Sequence, residues 1–181
     1  MNPPPLFDPT TCMHLEKDQA LPLVLRALQT AQLENSFKNF HVPGMHYINL
    51  QRSSELTVKL YICDPELLKT ACGHYLVSPH DHSYCFKTIV LKGSMRNITF
   101  EETEDEGASM YRYKYVSGLK HPTGKPSFED LTPVHLVESS NTLMPNGGSY
   151  YLSHTLVHTI VVDKKEMSIL LLFQKQDMDK E

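Results

Sequence analysis

What most constrains this chain is a change of period near residue 45. Apolar residues recur at helical spacing before it, and short β-rich runs dominate after it. The runs fall at 45–51, 56–63, 74–78, 84–91, 97–102, 110–116, 134–138, 150–152, 156–162 and 167–173. Turn chemistry separates several of them: Arg52-Ser53-Ser54, Lys92-Gly93-Ser94, Glu104 to Gly107, Pro145-Asn146-Gly147-Gly148 and Asp163-Lys164-Lys165. So many strands with short polar links predict a mainly β, antiparallel sandwich or barrel.

Before the change, Leu21, Val24, Leu25, Leu28 and, less regularly, Leu33 predict one amphipathic helix from Asp18 to about Phe37. Asp18 would cap it, with Pro22 in its first turn, and His41, Pro43 and Gly44 would end it. Residues 1–17 begin as an irregular arm carrying Pro3, Pro4, Pro5 and Pro9. Asp64-Pro65 predicts a short helical turn over 64–70, and the Pro- and Gly-bearing segment 120–130 reads as a loop covering an opening. A chain of 181 residues with 40% hydrophobic and 21% charged content has material for one well-cored domain. The expected organisation is an arm (1–17), a helix with its connection (18–44) and a β-barrel (45–181).

A net charge of -4 without a Lys/Arg cluster argues against nucleic acid as a partner. Cys12, Cys63, Cys72 and Cys85 lack CxxC spacing, so free thiols in a reducing compartment are expected. The N-terminus does not read as a signal peptide, and no apolar run reaches membrane-spanning length. A cytoplasmic protein with no membrane partner is expected. The acidic run 101–106 reads as a solvated hairpin tip.

Chemistry concentrates at Pro79-His80-Asp81-His82. Histidines separated by one residue share a face if the backbone is extended. That face would also carry His74, Leu76, Ser78, Tyr84, Phe86 and Thr88, with Asp81, Cys85 and Lys87 on the other. His154 and His158, in a distant strand-like stretch, are the candidates for a third ligand. His74, Tyr84, Tyr151 and His154 could bind substrate or move a proton, since phenol and imidazole both serve as acid or base.

The run Gly73, His80-Asp81-His82, Phe86, Gly93 resembles the first motif of the cupin superfamily, with one extra residue before the first His and Phe86 where many members place a ligand Glu. The stretch Gly147-Gly148 to His158 resembles the second motif, and 159–162 with 167–173 its closing hairpin. The resemblance implies a cupin-type jelly-roll barrel and ranks His158 above His154 as third ligand beside His80 and His82. It further implies a three-histidine site like that of cysteine dioxygenase and related thiol dioxygenases. Fe(2+) is then the implied cofactor, with Zn, Mn or Ni as alternatives, and O2 plus a small anionic, thiol- or carboxylate-bearing molecule as substrates. The Cys position of that group's Cys–Tyr pair falls on Phe86, and the closing strand has no Tyr. Arg52 or Lys59 could take the place of its carboxylate-binding Arg. A non-catalytic metal- or ligand-binding cupin, and a Zn-, Mn- or Ni-dependent isomerase or lyase, are the competing readings. A homodimer through sheet edges is compatible with such a fold.

Overall fold

The computed structural model describes residues 5–30, 35–68, 75–103, 110–116 and 127–177. They belong to two compact units, Met1–Thr99 with Ser140–Glu181, and Phe100–Ser139. In chain order the elements are α1 (Lys17–Thr30), β1 (Met45–Arg52), β2 (Leu56–Cys63), β3 (Tyr84–Lys92), β4 (Met95–Thr103), β5 (Met110–Val116), β6 (Ser127–Met144), β7 (Ser149–Leu152), β8 (Val157–Val162) and β9 (Ser168–Asp177). The expectation of a mainly β chain with antiparallel sheets and one N-terminal helix holds. No helix among the described residues is long and apolar enough to cross a membrane.

The first unit holds a five-stranded antiparallel sheet in the order β1-β2-β9-β3-β7. Residue rows run across it. Lys59, Leu172, Thr88 and Tyr150 share one row, and Val58, Phe173, Lys87 and Tyr151 the next. Because directly paired residues point the same way, the first row faces inward and the second outward. The inner face packs Tyr47, Tyr61, Phe86, Val90 and Leu170 against Met95, Ile160 and Val162 of the second sheet, whose order in this unit is β6-β4-β8. The outer face, with Val58, Leu60, Leu171 and Phe173, forms a separate core under α1. Burial on both faces explains why β2 reads as a nearly unbroken apolar run instead of an alternating one.

The helix differs from its sequence reading in face and in ends. Ala20, Val24 and Ala27 are buried against the sheet, while Leu25 is 56% exposed and Leu21 and Leu28 are also open. The sheet already brings Leu and Phe side chains to this face, and Phe7 lies edge-on against Phe173, so small residues let the helix approach. Glu16, not Asp18, precedes the first turn, and its N–H donates to Gln19 Oε1 at 3.0 Å in half of a capping box. Pro22 consequently lies two residues further in than expected. Phe37 is not helical either: it exchanges both backbone hydrogen bonds with Tyr47, each 2.9 Å. The proline-bearing arm docks, because the Gln51 side-chain amide accepts from Phe7 N–H and donates to Phe7 O.

Other expectations hold in part. The short turn expected over 64–70 is present at 64–67, closed by Leu67 N–H to Asp64 O at 3.2 Å, while residues 69–70 lie outside the described set. Residues 75–78 are not a regular strand. Part of the loop expected at 120–130 is strand, since β6 starts at Ser127; residues 117–126 lie outside the described set. The expected closing hairpin is not one, because β8 and β9 belong to different sheets. The connections at Gly93, at Gly147-Gly148 and before Ser168 likewise carry the chain between sheets, as in a jelly roll.

In the second unit β5 pairs antiparallel with β6, from Met110 opposite Val134 to Val116 opposite Ser127. Arg112 there forms an ion pair with Glu102.

Candidate metal centre

His158 sits on the inward face of β8 with Ile160 and Val162. His80 is not on a regular strand, but an isolated bridge seats it there: His80 N–H donates to His158 O at 2.9 Å and His158 N–H to His80 O at 2.8 Å. The Leu76 N–H to Ile160 O bond and the Thr159 hydroxyl on Val77 O hold the preceding segment along β8. His82 follows just before β3 begins. Convergence therefore comes from pairing with β8 rather than from a strand through 74–88.

The nitrogens of His80, His82 and His158 that could bind an ion all lie within 4.8 Å of one another. His82 Nε2 and His158 Nε2 are 3.0 Å apart. Two nitrogens at about 2.1 Å from one ion, at right angles, would be separated by about 3.0 Å. The second ring nitrogens of His80 and His158 are committed as metal ligands require. His80 Nδ1 lies 2.8 Å from Ser78 O, a group that only accepts, so the proton is on Nδ1 and the Nε2 lone pair faces the cluster. His158 Nδ1 donates likewise to Asn97 Oδ1 at 2.9 Å, deep in the unit.

All three rings are held neutral. Burial, then His80 and His158, push His82 down to about 2. Burial, then His80, bring His158 to about 3, and burial lowers His80 as well. Neutral imidazole is the form that binds a metal. The donor set therefore fits a divalent ion, and among the described residues it is the group that does.

Aromatic rings wall the cluster. Tyr84 and Phe86 lie 4.8 and 4.9 Å from the His82 ring, centroid to centroid, and Phe86 lies 5.5 Å from His158. Phe86 is fully buried. Lys59 is buried on the inner face too, its Nζ 5.5 Å from the ring centres of both Tyr47 and Tyr84. Two residues had no signal in the sequence beyond their local roles. Asn97 reads there as one polar residue in a strand, and His41 as part of a helix stop. His41 adopts φ 63, packs its ring on Phe40, and is brought down to about 4 by desolvation, His80 and Lys59.

The remaining candidates lie elsewhere. His154 is not in the cluster; its Nδ1 is 3.6 Å from Cys85 Sγ. Tyr151 is on the outer face and 54% exposed. Arg52 is exposed at the end of β1. His74 and Gly73 lie outside the described residues.

No family model and no curated protein matches the chain. Among solved structures it is similar to KdgF from Halomonas sp., at 13% identity and a TM-score of 0.44 over 79% of this chain and 89% of that one. An RmlC-like cupin from Shewanella frigidimarina gives 13% and 0.44, over 80% of this chain and 87% of that one. The hydroxypropylphosphonic acid epoxidase of S. wedmorenis gives the same identity and score over 80% of this chain and 57% of that one. Likeness at this level is one of outline and assigns neither substrate nor reaction.

Proposed function

We propose that this chain is a cupin-like, metal-dependent dioxygenase acting on a small anionic molecule, in the manner of the thiol dioxygenases. The observation that carries the reading is the set of three neutral imidazoles whose ligand nitrogens converge while the second nitrogens of His80 and His158 are already hydrogen-bonded. Neutral ligands leave a divalent ion its full charge, which favours an anionic thiolate or carboxylate donor. An Fe(2+) ion, when bound, supplies open coordination positions and redox capacity toward O2.

The chain's own residues do the rest. Lys59 places a buried ammonium on the inner wall, a counter-charge for a substrate carboxylate that Arg52, exposed at a turn, is poorly placed to offer. Phe86 stands where an acidic ligand would otherwise sit and keeps water away from the rings. The Tyr84 phenol, beside both His82 and Lys59, is placed to hydrogen-bond a bound anion or to hold a proton for it.

The test is oxygen uptake by the iron-loaded protein across a panel of small thiols and diketones. Uptake with one class is expected, lost on His82→Ala and weakened chiefly through a higher KM on Lys59→Met for carboxylate-bearing members. A zinc-filled protein that never consumes oxygen would favour Lewis-acid chemistry instead.

A further inference from the structure

A second group of reactive side chains lies outside the histidine cluster, on the opposite face of β3. Cys85 points outward, and its Sγ is 3.6 Å from His154 Nδ1. Tyr151, on the adjacent edge strand β7, is paired with Lys87 and shares that outward face. Cys85 is half-buried and Tyr151 is open to solvent. The other described thiols, Cys12 and Cys63, are buried.

Tyr151 and His154 are the groups facing Cys85 from β7 and from the residues after it. On its own strand, Lys87 shares the outward face but is committed: its Nζ donates to Leu15 O at 2.8 Å and pairs with Glu16 at 3.5 Å. A nucleophile and a base within reach of its proton, with a phenol on the neighbouring strand, are thus assembled at a sheet edge.

We propose that Cys85, served by His154 and Tyr151, is a modification site for low-molecular-weight disulfides. The Sγ–H proton passes to His154 Nδ1, and the thiolate attacks one sulfur of R–S–S–R. The Cys85–S–S–R bond forms as the original S–S bond breaks, and the departing thiolate leaves as RSH with the proton from His154. Cys85 is oxidised and the small disulfide reduced, so atoms and electrons balance. Burial alone would raise the Cys85 thiol, but the neighbouring Tyr151 and His154 outweigh it and bring it down to about 7. The same contact pushes Tyr151 up to about 12. A thiol poised near ambient pH is the best attacker in such an exchange. By contrast, burial drives Cys63 up to about 12 and leaves it inert.

The test reacts the native, full chain with 5,5′-dithiobis(2-nitrobenzoate) and follows release of the coloured thiolate from pH 5 to 10. One thiol should react about tenfold or more faster than the rest, with its rate midpoint near pH 7. That phase should vanish in Cys85→Ser. In His154→Gln and in Tyr151→Phe, which removes only an exposed hydroxyl, the midpoint should move upward and the rate at pH 7 fall severalfold. A fast phase that survives Cys85→Ser, the absence of any fast thiol, or an unchanged midpoint in both other variants would overturn the proposal.

Discussion

Asn97 shows how one buried side chain can decide which nitrogen a histidine offers. Its Oδ1 accepts from His158 Nδ1 at 2.9 Å, so the Nε2 lone pair turns toward His80 and His82. Outer partners of this kind typically govern metal affinity by 10–100-fold. Asn97→Ala should therefore weaken metal binding by about 10–100-fold in chelator competition, whereas Asn97→Asp, which still accepts, should hold the ion at least as well. Equal affinity in the alanine variant would mean that the ring is oriented by packing alone. Nothing in the sequence marks this residue: an Asn in a strand acquires its meaning only when β8 brings His158 opposite. His80, His82 and His158 were legible because their type is itself the signal. Lys59 was legible only as a candidate, since a lone Lys in an apolar strand does not say which face it is on.

At the scale of elements, Gly93 is the corner that sends β3 into one sheet and β4 into the other, and so brings His82 and Asn97 to opposite sides of His158. Its φ is +72, and a Cβ there would lie 2.8 Å from Met167 O and 2.8 Å from Ser168 Oγ. Left-handed backbone costs a residue with a side chain about 1 kcal/mol, and the backbone contact adds to that. Gly93→Ala should therefore cost about 2 kcal/mol in denaturant unfolding, and a change under about 0.5 kcal/mol would contradict this view of the corner. The strands were readable in outline because β-branched and aromatic runs are bounded by turn residues; β2 and β5 match their expected limits. The helix face was not. Spacing pointed to Val24 together with Leu21, Leu25 and Leu28; Val24 is buried, but the bulk already on the sheet selects Ala20 and Ala27 beside it instead of the leucines.

For the whole molecule, the sequence pattern conveys many strands and two separated histidine stretches, but not which strands are neighbours. Pairing across long separations, such as β2 with β9, is decided by which faces must be buried together, and that is not written in any local window. The same gap explains why spacing by itself left both His154 and His158 as candidates, with only the motif resemblance ranking His158 first: the position of β8 turns one inward and leaves the other beside Cys85. The most direct measurement is elemental analysis of protein purified without chelator or nickel resin. About one transition-metal ion per chain is expected in the parent protein, close to none in His80→Ala, His82→Ala and His158→Ala, and an unchanged content in His154→Ala. Full metal in His158→Ala together with loss in His154→Ala, or a parent protein that never holds an ion, would contradict the central claim.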